Sequence, residues 1–234
     1  MAITASDVNR LRKQTGAGMM DCKKALVATD GDFEAAVDEL RKKGQKVAAK
    51  RGDNEAKEGL VYAQTRTDGK SGILVKLSCE TDFVAKNSEF QEFVQSLVDV
   101  ALNNKPSSKE ELLALAYNNE LSVAEKITEH VGVVGEKLDL SGFETIDSAK
   151  VVAYNHPGNQ LATLVGLTSD SESAEDAGKQ VAMQVAAMNP LALSKDGIDQ
   201  ETIDRELEVG KELAIQEGKP VEMAEKIKRM SKEN

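Results

Sequence analysis

The sequence predicts an α+β fold assembled from small units, and three observations carry that expectation. Helical periodicities with capping signals open the chain and recur along it. Two turn-centred hairpin patterns lie in the middle, each followed by an amphipathic helical stretch. Apolar residues make up 40% of the 234 positions, yet aromatics make up 3% and Trp is absent. Cores must therefore be built from Ala, Val, Leu, Ile and Met, which suits short helices and small sheets.

The first 44 residues read as a three-helix module. Thr4 and Asp7 have capping-box spacing ahead of Val8 and Leu11, and Gly16 and Gly18 mark the end of that helix. A second helix is expected over residues 20–28, with Cys22, Ala25 and Leu26 on one face. Asp30-Gly31-Asp32 interrupts it, and Asp32 can cap a third helix with Phe33, Ala36, Val37 and Leu40 at i, i+3, i+4 and i+7. Gly44 is the expected stop, and the basic stretch over 45–57 the expected linker.

Leu60–Thr65 and Ile73–Cys79 read as strands around Asp68-Gly69. A strong helix follows from Ser88, with Phe90, Phe93, Val94, Leu97 and Ala101 on a wide apolar face. Two further helices are expected near 108–117 and 122–135, each behind an S-x-x-E box, at Ser107/Glu110 and Ser122/Glu125. The pattern then repeats. Val151–Asn155 and Leu161–Thr168 flank Pro157-Gly158-Asn159, and a helix with Val181, Ala182 and Val185 follows. Leu74-Val75-x-Leu77 in the first copy matches Leu164-Val165-x-Leu167 in the second. Residues 58–140 and 141–190 are therefore expected to be two related α+β core subdomains. Residues 191–234 read as a helical hairpin: Ile203, Leu207, Gly210 and Ala214 form a seam, Gly218-Lys219-Pro220 turns, and Met223, Ile227 and Met230 continue it.

Composition narrows function by exclusion. The net charge of −10 disfavours direct nucleic-acid binding, because an acidic chain repels phosphate backbones. The charge is uneven: residues 1–51 carry 11 Lys and Arg against 7 Asp and Glu. That excess suits an acidic partner surface, or a solvated helical face. Two cysteines without disulfide spacing fit a reducing cytosol, and the N-terminus has no apolar signal region, so a cytoplasmic location is expected. No apolar run is long enough to span a membrane.

Reactive constellations are missing. His130 and His156 each lack company at metal-ligand spacing. Gly69-Lys70-Ser71 has Gln64 where a phosphate loop needs its first glycine, and it lies between strands. Carboxylates are scattered. The expectation is a protein that is not an enzyme, needs no metal or cofactor, and acts by binding another protein.

Two segments stand out. In Leu11–Leu26 (LRKQTGAGMMDCKKAL) two methionines sit beside a glycine turn, and a small core has no room for both. One is expected to face outward, to cover a helix end or to meet a partner. In Thr81-Asp82-Phe83-Val84 an aromatic lies on the connection after the second strand. Phe83 either plugs the gap between sheet and helix or anchors an interface.

Together, LRKQTGAGMMDCKKAL and TDFVAKNSEF resemble the two signature regions of the elongation factor Ts family. Tyr154-x-His156, Gln184-Val185-Ala186-Ala187 and Gly218-Lys219-Pro220 extend the similarity in order along the chain. The resemblance implies a guanine-nucleotide exchange factor that binds elongation factor Tu, with GDP bound or without nucleotide, and promotes GDP release. It implies a ubiquitin-associated-like N-terminal module contacting the partner through Arg12, Met19 and Met20. It implies that Thr81, Asp82, Phe83 and Val84 disturb the partner's Mg²⁺ site, with Phe83 as the wedge. His156, Gln184 and Met188 would contact another domain of the partner, and the coiled-coil arm would support homodimers in some members. One departure stands against the family pattern. The sequence ends at Asn234, before the family's return segment, so an incomplete second subdomain is expected, and with it the alternative of a scaffold that binds without exchanging nucleotide.

Overall fold

The computed structural model describes residues 3–218. The chain divides into two compact units between Ala187 and Met188.

Helices α1 (Ala5–Thr15), α2 (Met19–Ala28) and α3 (Phe33–Lys50) open the first unit. The Thr4 hydroxyl accepts from the Asp7 N–H, and the Asp7 carboxylate accepts from the Thr4 N–H, so two orphan donors of α1 are satisfied at once. Gly16, at φ +71, closes α1 in the left-handed conformation that glycine adopts without penalty. Asp32 caps α3 by accepting from the Ala35 N–H. Leu11, Cys22, Leu26 and Ala36 are fully buried between the three helices.

Gly44 does not end α3, contrary to the sequence expectation. The helix runs on to Lys50, and the first part of the 45–57 segment expected as a linker is helical. The cause lies 88 residues away. At Gly132 on α7 (Val123–Val134), an added Cβ would lie 2.7 Å from the Gly44 Cα. At Gly44 it would lie 3.2 Å from the Thr128 carbonyl oxygen. The two glycines let the backbones of α3 and α7 cross almost in contact, and beyond the crossing Val47 and Ala48 pack on the second core.

That core is built on strands β1 (Glu58–Thr65), β2 (Ser71–Cys79) and β3 (Asp139–Asp147), antiparallel in that order, with Leu60 opposite Leu77 and Val75 opposite Phe143. The boundary expected at 140/141 falls inside β3, which joins β2 with a register shift at Lys76/Leu77. Helix α5 (Ser88–Asn104) lays Phe90, Val94, Leu97, Val98 and Ala101 onto the sheet, and α6 (Lys109–Ala114) and α7 cover the rest through Leu112, Val123 and Val131. Ser88 opens α5 as expected, and Asn87 caps it. Ser108, one residue beyond the expected Ser107, caps α6, and the Glu111 carboxylate reaches back to the Ser107 N–H and hydroxyl. The Ser122/Glu125 box forms as expected.

The second hairpin, β4 (Lys150–Asn155) and β5 (Ala162–Leu167), makes a two-stranded sheet. It covers the open edge of β1. The Asn155 side chain accepts from the Ala63 N–H and donates to the Ala63 carbonyl, both at 2.8 Å, and the Asn159 carbonyl accepts from the Val61 N–H. An edge strand that would otherwise expose unpaired backbone is thereby closed. Helix α8 (Ala174–Met188) follows, and Gly178 lets it approach Val152 of β4.

In the second unit, α9 (Gln200–Gln216) is capped by Asp199. Ile203, Leu207 and Ala214 are its more protected seam residues, while Val209, Leu213 and Ile215 are exposed. The expected turn at Lys219-Pro220 and the seam residues Met223, Ile227 and Met230 lie outside the described residues.

Candidate functional site

The connection from β2 to α5 contains a one-turn helix, α4 (Asp82–Ala85). Thr81 is its N-cap. Ala85 is buried and Val84 partly buried against the sheet core, so the inward side of the turn is already filled. Phe83 points away and is 82% exposed. The plug role is therefore excluded: this ring touches little of its own fold. Such exposure of a phenylalanine leaves its apolar surface in water, a standing cost that an interface would relieve.

The turn itself is held firmly. The Glu136 carboxylate accepts from the Glu80 N–H (3.1 Å), the Thr81 N–H (3.0 Å) and the Thr81 hydroxyl (2.6 Å). Glu80 faces the other way, accepting from the Lys137 N–H at 2.6 Å, from Arg51 through both oxygens at 2.9 and 2.8 Å, and from Asn54 at 2.9 Å. The Lys137 N–H first, then Asn54 and Arg51, hold the Glu80 carboxyl below its ordinary pKa. Asp82 pairs with Lys86 at 2.7 Å, which lowers the Asp82 pKa. Beneath the turn, burial and then the Glu136 charge push the Cys79 thiol up to about 11, which leaves it protonated and unreactive at neutral pH.

The other sequence candidates lie on separate elements. Met19 and Met20, on the first turn of α2, are 48% and 65% exposed, so both face outward where one was expected to; Val27 on the same helix is exposed too. Arg12, on the last turn of α1, is exposed. His156 is exposed in the second hairpin, its Nδ1 2.9 Å from the Tyr154 hydroxyl. Gln184 is exposed on α8 beside Val181 and Met183, and Met188 ends that helix with 69% exposure. Among the described residues no hydrogen bond or ion pair joins these groups to the Phe83 turn. No group of three or more His, Cys, Asp or Glu among the described residues could hold a metal ion. His130 stacks on Phe93 at 4.0 Å, with its Nε2 buried and unpartnered.

A family model described as Elongation factor TS matches residues 80–232, a span that opens on Glu80 and takes in the whole Phe83 turn. Elongation factor Ts of Christiangramia forsetii is 52% identical over 225 residues, covering 96% of this chain and 81% of the relative. That of Flavobacterium psychrophilum is 48% identical over the same share of each. That of Amoebophilus asiaticus is 49% identical over 228 residues. The chain belongs to the elongation factor Ts family.

Within this elongation factor Ts fold, the sequence singles out the exposed Phe83 but not the residues that brace its turn. Arg51, Asn54, Glu80, Glu136 and Lys137 come from three segments and read individually as surface charges. The nearest local signal is Gly135, the left-handed C-cap of α7, which aims the following Glu136 and Lys137 back at the turn.

Proposed function

We propose that this chain is a guanine-nucleotide exchange factor: it binds elongation factor Tu carrying GDP and speeds GDP release during translation elongation in the cytoplasm. It acts by binding, without making or breaking covalent bonds. The exposure of Phe83 on a braced turn is the observation that carries this reading.

Mg²⁺ bridges the phosphates of a bound nucleotide to a GTPase and supplies much of the nucleotide's hold. A ring inserted near that ion displaces its ligands and weakens GDP, and by linkage GDP weakens the factor in the same ratio. Magnitudes set the division of labour. A ten-thousand-fold acceleration corresponds to roughly 5.5 kcal/mol. Burial of one phenylalanine supplies only about 1.5–3 kcal/mol. Docking must supply the remainder. The outward Met19, Met20 and Arg12 of a ubiquitin-associated-like module, and His156, Gln184 and Met188, are the groups assigned to it. Helix α9 is read as the first limb of a coiled-coil arm, a surface for self-association.

The test is release of a fluorescent GDP analogue from purified elongation factor Tu, with and without the chain. Strong acceleration at catalytic amounts is expected. Binding without acceleration would overturn the exchange reading.

A further inference from the structure

We infer that Glu136 is a positioning residue for exchange, acting through the Phe83 turn that it clasps. The inference rests on the reading of Phe83 as the intruding group.

A four-residue helix cannot sustain itself, because a single turn fixes several dihedrals for one or two hydrogen bonds. Helix α4 has other help beyond its entrance, from Ala85 and Val84 packed on the sheet core and from the Asp82–Lys86 pair at 2.7 Å, but its own cap is weak. The Val84 N–H reaches the Thr81 hydroxyl at 3.5 Å, a long contact for a cap. Phe83, being exposed, contributes almost no packing. What fixes the entrance of the turn is a set of long-range hydrogen bonds. Glu136 takes both backbone N–H groups there and the capping hydroxyl as well. The arrangement is reciprocal: the Glu80 carboxylate takes the N–H of Lys137, the residue after Glu136. Two neighbouring pairs, Glu80-Thr81 and Glu136-Lys137, thus hold each other's backbone. The Lys137 ammonium then donates to the carbonyls of Gly52 (2.7 Å) and Asn54 (2.9 Å), and Arg51 grips Glu80, so the clasp reaches the end of α3.

Preorganisation is where this matters for function. A wedge that must be ordered on arrival loses part of its small energy to that ordering. A wedge already aimed delivers it, and a displacement of about 1 Å can cost about a hundredfold in rate. Glu136 is well placed to set that aim without touching the partner's nucleotide.

The experiment measures GDP-analogue release from elongation factor Tu across a range of factor concentrations, separating the rate at saturation from the half-saturating concentration. Glu136→Ala is expected to lower the saturating rate about tenfold or more, with the half-saturating concentration nearly unchanged. Glu136→Gln should restore most of the rate. Its amide oxygen can accept from both N–H groups, and its NH₂ can donate to the Thr81 hydroxyl, which has acceptor capacity. In a Phe83→Ala background, Glu136→Ala should add little further loss, since there is no ring left to aim. Amide exchange over residues 81–85 should quicken in Glu136→Ala while the global melting transition persists. Wild-type acceleration with an undiminished saturating rate in Glu136→Ala would overturn the inference. So would a loss confined to the half-saturating concentration, or losses that multiply in the double variant. No acceleration by the wild-type chain would instead sink the exchange reading itself, and this inference with it.

Discussion

Two junctions in this molecule lead from the second strand of a hairpin into a helix, and they are built differently. Between β2 and α5, long-range hydrogen bonds from the α7–β3 turn and the end of α3 converge on Glu80 and Thr81. Between β5 and α8, residues 168–173 are all exposed. There the hydrogen bonds are local: the Ser171 N–H donates to the Ser169 hydroxyl, and the Ser171 and Ser173 hydroxyls lie 3.5 Å apart. Only the first junction carries an aromatic. Two connections with the same local grammar therefore differ in support, and the braced one is the one that holds an apolar ring out into solvent.

The comparison can be broken most directly at the ring. Phe83→Ala should slow stimulated GDP release by about 10- to 100-fold, the rate equivalent of losing one buried phenylalanine, while some binding survives. Its melting temperature should barely move, because an exposed side chain contributes little to folding. A large loss of stability would return Phe83 to a packing role, and complete loss of binding would deny it a wedge role.

Next in size is the crossing that holds α3 to the core. Gly132→Ala places a methyl 2.7 Å from the Gly44 Cα, a backbone atom with nowhere to go. A destabilisation of about 3 kcal/mol is expected, the upper range for overpacking, read from urea or thermal unfolding. A neutral result would mean that the helices part easily and that α3 does not fix the clasp.

Smaller still is a pH effect in the same core. Burial, aided by the Lys126 charge, depresses the His130 pKa from the ordinary 6.5 to about 4. Part of the residue reaches the surface, but its Nε2 is sealed and unpartnered. The unfolded chain therefore binds a proton below pH 6.5 that the folded chain refuses until about pH 4. Stability is full above 6.5 and declines as pH falls through that window, by about 2 kcal/mol near pH 5. His130→Leu should flatten that decline between pH 6.5 and 5; an unchanged slope would assign it to the carboxylates.

The smallest expected effect is the sharpest control. Glu172→Phe places a ring on the unbraced junction. It should neither speed exchange nor rescue Phe83→Ala in the GDP-release assay. Rescue would show that any exposed ring near a hairpin suffices and that the bracing is incidental.

Much of this organisation was legible along the chain, and the failures share one cause. Helices and hairpins announced themselves through periodicity and turn residues: the Thr4/Asp7 and Ser122/Glu125 boxes, the Asp32 cap and the Gly158 turn all stand where local chemistry puts them. Gly44 misled because a glycine late in a helical pattern reads as a stop, whereas its reason is Gly132 on another helix. β3 escaped notice because Asp139–Asp147, with Gly142 and several charges, alternates poorly and gains its identity from β2. For Phe83 the residues alone left two readings, and only the filled inward side of its turn decides between them. Glu136 had only the neighbouring Gly135 cap to mark it, since a carboxylate becomes a clasp only when distant backbone donors meet it.

Helix α3 has a further consequence as a gauge. Its first half packs with α1 and α2 through Ala36 and Leu40, and its second half enters the sheet core through Val47 and Ala48. Its 18 residues span about 27 Å at 1.5 Å each. Angular phase is transmitted along such a rod. Adding or removing one residue between Leu40 and Val47 would swing the outward methionines of α2 by about 100° around the helix axis relative to the Phe83 ring while advancing them only about 1.5 Å along it. Their separation along the axis is thus tolerant, but their relative bearing is not, and the length of this segment is constrained by geometry even at positions where the identity of the side chain is free.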